Sequence, residues 1–487
     1  MFIMPGKARP WQYGWQFFGF YSLLGLCLGN PAQAAERVVL TAGNTTWTVS
    51  LADVERWVHS GSLQGSLSPL TQILVPAALG ELRGWLTRPV PLTPAQSQRL
   101  LHSPAGSQVL ERVGQWLIPP DPQGVKQAVT LLLQEQKPLT AFHLLQALPG
   151  ETVAVDALAV ANVWLNAQTQ QQQTAQAVAA LPLLNPSGGA PAFSGQPWRV
   201  HSQVFTPPDH PQRPLKLHLF TPLGSQRVPL VILSHGLGQT GRSLMYLGEY
   251  LASQGLAAAV ITHPARHALS EFSERPQDIR RVLAHLAAQP LGQRLDWERV
   301  GLIGHSLGGY TVLVAAGAQP HRPGLQSQCQ DDLAVLNLSL VLLQCRALEL
   351  KTWPTGAPDP RIRAVIAINP AIGGILGAAG LAPLTVPVMV IGGAEDWVTP
   401  VLSEHIRPFQ GLRGRNHLLV ILPQARHIDG LDELRQFRLQ RLPPIPAALA
   451  HLSREFFRTH LFPHAAPLTP ERLRQPTLPL RVLTASP

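Results

Sequence analysis

Ser306 lies at the centre of Gly304-His-Ser-Leu-Gly308, within the longer run Val300-Gly-Leu-Ile-Gly-His-Ser-Leu-Gly-Gly-Tyr310. An apolar stretch enters this G-x-S-x-G pattern and an Ala/Val-rich segment, Thr311 to Ala318, leaves it, as in a strand, a tight turn and a helix. The turn crowds the positions around the serine, hence the small residues Gly304, Gly308 and Gly309, and its strain lifts Ser306 out at the carboxyl edge of a sheet. A serine hydroxyl is a poor nucleophile at neutral pH. It needs a base to take its proton, and the base needs a third group to hold its tautomer.

Where a strand precedes the serine turn, the acid and then the histidine follow in the chain. The apolar run Val386-Pro-Val-Met-Val-Ile391 ends in Gly392-Gly-Ala-Glu-Asp396-Trp-Val-Thr-Pro400, which makes Asp396 the expected acid and the adjacent Glu395 its competitor. His427, in Leu422-Pro-Gln-Ala-Arg-His427, follows the last apolar run and is the expected base, with His405 and His417 as the nearest alternatives among 18 histidines. Acyl transfer also needs two backbone N–H groups aimed at the developing oxyanion. Leu307, after the serine, is expected to supply one, and Leu237, in Ser234-His-Gly-Leu-Gly238 after an earlier strand, the other. His235 is expected to pack beneath that loop, and His263 and His267 to border the same crevice. No H-E-x-x-H or similar spacing is present, so neither a metal nor another cofactor is expected.

The elements that must position these groups are read from periodicity. Beyond residue 198 an opening antiparallel pair, Trp198 to Phe205 and Leu215 to Phe220, precedes near-continuous apolar runs separated by helical stretches. This is the signature of a mostly parallel sheet covered by helices on both faces, with reactive groups beyond the strand carboxyl ends. The expected organisation is a leader over 1–34, a mainly helical domain over 35–165 and a Gln/Pro/Gly-rich linker over 166–197, whose part to Ala180 suits a helix. An α/β domain over 198–470 with an insertion at about 319–360, and a tail over 471–487, complete it. Within the helical domain, Gly43-Asn44 reads as a hairpin turn, Ser50 as a helix N-cap, and Thr93-Pro94 and Asp121-Pro122 as helix starts.

Residues 200 to 465 resemble the α/β-hydrolase superfamily, on the strength of Ser234-His-Gly-Leu-Gly238, Leu251-Ala-Ser-Gln-Gly255, Arg275-Pro-Gln-Asp278 and Gly304-His-Ser-Leu-Gly-Gly309. They are most similar to its dienelactone-hydrolase and type II platelet-activating-factor acetylhydrolase branch, although dienelactone hydrolases use cysteine where this chain has Ser306. Arg37 to about Trp164 resembles a domain of unknown function that precedes such hydrolases in exported bacterial proteins. The resemblance implies an acetyl- or short-chain ester hydrolase, with phospholipid esters among its substrates. A cutinase- or polyester-hydrolase-like enzyme or a lipase is the alternative, and a binding protein that keeps the fold without activity is the rival from another class. The same resemblance leads us to expect Arg275-Pro276 and Asp278 to shape a helix start near the site.

Bulk properties bound the partners. Only 14% of the residues are charged, the net charge is +10, and no Lys/Arg-rich run or basic aromatic stripe points to nucleic acid. Charge spread over the surface for solubility is the plainer reading. The alternative is a surface suited to acidic polymers or to anionic lipid headgroups, and so to peripheral membrane association; the oligomeric state is not legible. Lys7 and Arg9, the apolar stretch Phe17 to Leu28, and Ala32-Gln-Ala34 have the form of an export signal cleaved near Ala34, with an uncleaved anchor as the alternative. Cys329 and Cys345 then remain, flanking Asp331 to Leu343, which reads as helical. One unbroken helix would hold them roughly 24 Å apart, so a disulfide requires the chain to fold back, with Asn337 to Ser339 the candidate turn. Two buried thiols are the alternative.

Overall fold

The computed structural model describes residues 35–73, 75–90, 97–98, 101–102, 104–188, 195–224, 226–264, 269–331, 336–356, 358–414 and 416–485. The expected leader, the Thr93-Pro94 helix start and His267 lie outside them. The chain forms two compact units, residues 35–89 with 127–155 and residues 90–126 with 156–485.

The smaller unit is built on the antiparallel pair β1 (Arg37–Ala42) and β2 (Thr45–Ser50), with β3 (Thr152–Asp156) on the other side of β1. Gly43 makes the hairpin turn at φ +59°, a region glycine enters without a Cβ penalty. The following helix, Leu51–Ser60, buries Leu51, Val54, Trp57 and Val58 along one face. Ser50 stands at its N-cap position without a side-chain cap bond; its N–H donates to Ser66 Oγ instead.

The larger unit carries a ten-stranded sheet. In chain order its strands are β4 (Leu183–Leu184), β5 (Trp198–Phe205), β6 (Leu215–Pro222), β7 (Val228–Ser234), β8 (Ala257–Thr262), β9 (Leu295–His305), β10 (Ile362–Ile368), β11 (Val388–Gly393), β12 (Leu418–Leu422) and β13 (Leu480–Thr484). Across the sheet they run β4-β13-β12-β11-β10-β9-β7-β8-β6-β5, and the six from β8 to β12 are mutually parallel. Antiparallel pairs close both edges. Alternate residues of each central strand enter different cores: Leu230 and Ile232 of β7 face one, Val231 and Leu233 the other. Burial on both faces explains why these strands read as continuous apolar runs. From β7 the chain passes to β8 on one side and then to β9 on the other, so the carboxyl ends of β7 and β9 form the crevice where such sheets place ligands.

The helix Ser270–Ala287 begins well before Arg275, so Pro276 sits in its interior and not at its start, contrary to expectation. Pro276 cannot donate to the carbonyl of Phe272, and the buried Tyr310 hydroxyl donates to that oxygen across 3.1 Å. This bond ties the helix to the one that follows Ser306.

Three boundaries differ from the reading above. Residues 90–126 group with the sheet-bearing unit. The expected boundary at 165/166 falls inside one helix, Ala157–Ala180, which Asp156 caps at Leu158 and Ala159 and whose Ala- and Gln-rich sequence has good helix propensity. The expected tail supplies β13, whose buried Leu480 and Val482 alternate with less buried neighbours. By contrast, Asp121-Pro122 does start a helix, Pro122–Gln134, with Asp121 accepting from the Gly124 N–H.

In the insertion, Cys329 and Cys345 are joined in a disulfide with a Cα separation of 5.7 Å. The span between them is not one helix. The helix Arg322–Gln330 ends one residue after Cys329, residues 332–335 lie outside the described set, and a new helix, Leu338–Leu342, is capped by the Asn337 side chain. The insertion is fixed from below by Glu404, a buried carboxylate that accepts from the N–H groups of Ile372 and Gly373 and from the side chains of Asn337 and Gln344.

Candidate active site

β9 ends at His305, and Ser306 occupies the turn into the helix Leu307–Ala315 at φ +56°, ψ −117°. Positive φ is costly for a residue with a Cβ, and the surroundings hold it there. The Ser306 N–H donates to Ile368 O at 2.9 Å, and the Ser306 carbonyl accepts from Gly309 N–H at 2.8 Å. A Cβ at Gly304 would meet Gly308 O at 2.0 Å, and one at Gly308 would meet Ser234 O at 2.1 Å. Only glycine fits either position, as the motif implied.

Asp396 follows β11, is 3% exposed and lies against the His427 ring, with Oδ2 2.7 Å from His427 Nδ1. Its other oxygen accepts from the N–H groups of Val398 and Thr399, and the Thr399 hydroxyl donates to Oδ2 at 2.6 Å. Burial alone would push this carboxyl up; the facing His427 and the Thr399 bonds outweigh it and hold Asp396 below the usual carboxylate range. Glu395 is exposed. His405 is fully buried under Gly392, where burial pushes it down to about 4. His417 is spent on Val388 N–H and Arg413 O. Neither rival histidine faces Asp396 through a hydrogen bond.

The main-chain carbonyl of His427 receives two side-chain donors, His305 Nε2 at 2.9 Å and Asn369 Nδ2 at 3.2 Å. A third contact closes the circuit: the Gly393 N–H, at the end of β11, donates to Asn369 Oδ1 at 2.9 Å. His305 is 1% exposed, and burial pushes it down to about 3, so it donates as a neutral ring.

On the opposite side, the loop after β7 lies against the serine: a Cβ on Gly236 would sit 3.2 Å from Ser306 Cβ. Gly236's own N–H is taken by Gln239 Oε1 at 3.0 Å. Leu237 follows it, and Leu307 opens its helix, where the first N–H groups have no intrahelical carbonyl. His235 packs beneath the loop, with Nδ1 donating to Gly236 O and Nε2 accepting from His263 N–H. Beneath it lies a buried ionic network. Arg213 grips Asp278 through two nitrogens and reaches Glu271; Arg275 joins Glu271 to the His235 carbonyl. His263 bonds Asp278 and Ser234, so it serves this scaffold and not the crevice wall. Asp278 is held down to about 2: burial opposes its ionisation, but His263 and Arg213 outweigh it.

His305, Asp396 and His427 are thus joined beyond the carboxyl ends of β9, β11 and β12, and the Gly236–Leu237 loop after β7 lies against Ser306; among the described residues no hydrogen bond joins Ser306 to His427. A small apolar recess beside His427 is walled by Leu244, Ile368, Ile391, Leu431, Ile445 and Leu449. Among the described residues no group of three His, Cys, Asp or Glu side chains is placed to hold a metal ion. Thr399, Asn369 and His305 were not singled out by the sequence. The only signals were a polar residue directly after a buried strand at Asn369 and a threonine three positions after the acid.

Comparison with known proteins agrees with this architecture. Residues 34–156 match a family model described as "Alpha/beta hydrolase of unknown function (DUF1400)". Cutinase 1 of Thermobifida cellulosilytica is 30% identical over 194 residues, 39% of this chain and 56% of the relative. Cutinase 2 of the same organism is 25% identical over the same shares. The bis(hydroxyethyl) terephthalate hydrolase of Streptomyces coelicolor is 27% identical over 180 residues, 37% of this chain and 43% of the relative. The fold is that of an α/β-hydrolase. The chain spans about half the length of these curated relatives.

Proposed function

We propose that this α/β-hydrolase is a serine ester hydrolase that works through an acyl-enzyme. His427 takes the Ser306 proton as Oγ attacks the ester carbonyl, and the amides of Leu237 and Leu307 hold the oxyanion. His427 then protonates the leaving alcohol, activates water against the acyl-enzyme, and Asp396 orients its ring and stabilises the imidazolium throughout. The Asp396–His427 hydrogen bond of 2.7 Å beside the strained Ser306 turn is the observation that carries this reading.

The resemblance carried by the sequence motifs favours acetyl or other short acyl groups. Phospholipid acetyl esters, as hydrolysed by platelet-activating-factor acetylhydrolases, fit that preference, and this finer reading rests on the sequence motifs alone. The second reading, a cutinase-like or polyester hydrolase, is favoured by the names of the similar proteins. It is also favoured by the exposed apolar side chains of Leu237 and Ile428, which flank the two reactive loops. Export fits a disulfide-bonded chain; no described helix is long and apolar enough to cross a membrane.

Turnover of p-nitrophenyl acetate, p-nitrophenyl decanoate and a polyester film tests both readings together. The short-chain reading expects acetate to be preferred and the film untouched; film erosion would favour the second. Loss of no activity in Ser306→Ala would overturn the serine mechanism itself.

A further inference from the structure

His427 lies in an irregular loop after β12, where no strand or helix ladder holds its main chain. Its ring is oriented by Asp396 and Thr399, but ring orientation alone does not fix where Nε2 stands relative to Ser306. The backbone must be held as well, because displacements of about 1 Å at such a site cost on the order of a hundredfold in rate.

The His427 carbonyl oxygen has two acceptor sites, and both are filled by buried side chains. The orientation of the Asn369 amide follows from its partners. The Gly393 N–H can only donate, so the atom 2.9 Å from it is the amide oxygen, and the NH₂ faces the His427 carbonyl. Asn369 itself has φ +42°, its N–H donates to Ile391 O, and it is 6% exposed. Asparagine tolerates this left-handed region better than most residues. Its side chain thus spans from the end of β11, three residues before Asp396, to the loop that carries His427.

We propose that Asn369 is a positioning residue: by joining the Gly393 N–H to the His427 carbonyl, it sets the distance between the acid-bearing strand end and the base. His305 shares the work from the serine side, so a single carbonyl registers the base against both β9 and β11. The inference rests on the reading of His427 as the general base.

Two substitutions separate this role from bulk stability. Asn369→Asp keeps an acceptor for Gly393 N–H but turns the donor facing His427 into a carboxylate oxygen. Asn369→Gly keeps the backbone conformation and removes both bonds. Each is assayed on p-nitrophenyl acetate, with kcat expressed per active site titrated by a fluorophosphonate, across pH 5 to 9. The expected result is a fall in kcat of about 10- to 100-fold in both, with KM changed less than about threefold. A purely structural residue would lower the melting temperature and leave kcat per titrated site where it was in both variants; that outcome overturns the proposal. His427→Ala is run alongside. If it keeps full turnover, the reading of the base fails; if it loses turnover while both Asn369 variants match the parent, only the positioning role fails.

Discussion

The hydroxyl of Tyr310 donates to the main-chain carbonyl of Phe272, the oxygen that Pro276 leaves without its helical partner. A proline inside a buried helix is tolerable here because a residue of the serine-bearing helix satisfies the freed group. Tyr310→Phe should therefore strand a buried carbonyl and cost about 1–3 kcal/mol. Denaturant unfolding would read this loss; an unchanged midpoint would show that the carbonyl finds another partner.

The buried network beneath the loop of Leu237 makes a second prediction. Asp278→Asn removes the anion that faces Arg213 and His263, and breaking a buried pair in this way costs about 3–5 kcal/mol. Arg275→Met, which frees the His235 carbonyl, should lower kcat on p-nitrophenyl acetate as well as the melting temperature, because that carbonyl lies in the loop of Leu237, the proposed oxyanion donor.

Stability should fall on mild acidification. His305 is held near pKa 3 and His405 near 4, against an ordinary value of 6.5. Between these values the unfolded chain binds protons that the folded chain refuses, so stability rises with pH and declines from about pH 6.5 downward, by up to about 1.4 kcal/mol per unit for each histidine. Asp278, depressed to about 2, and Asp396, also depressed, add losses at lower pH, where the unfolded carboxylates protonate first. Melting temperatures measured from pH 8 to pH 4 at constant ionic strength check the sign. A rise on acidification would contradict it.

Reduction of Cys329–Cys345 releases a segment that is fixed to the loop of Asp396 by Ser339 N–H on Val398 O and by Gln344 on Glu404. Dithiothreitol should destabilise the larger unit by about 2–4 kcal/mol. The Cys329→Ser/Cys345→Ser pair should reproduce that loss without reductant.

Much of the fold was legible in the sequence. The continuous apolar runs announced a doubly covered parallel sheet, and the order of Ser306, Asp396 and His427 followed from the strands each one trails. What the sequence hid were contacts made by residues of unremarkable type. Asn369 and His305 matter only because their strands end beside the His427 carbonyl, 58 and 122 positions away in the chain. Likewise, the Gln-rich shift in composition marked a boundary at 165/166, although the helix capped by Asp156 runs through it from Ala157 to Ala180. The last strand was too short and too distant from its partner β12 to announce its pairing.

The most direct test of the account is to find the atom that carries the acyl or phosphonyl group. The intact chain is treated with a fluorophosphonate at pH 8, digested, and the adduct located by mass spectrometry, with His427→Ala and Asp396→Asn in parallel. The account predicts one stoichiometric adduct on Ser306, formed orders of magnitude more slowly in both variants. Labelling elsewhere, or equal labelling of Ser306 in the absence of the His427 imidazole, would contradict it.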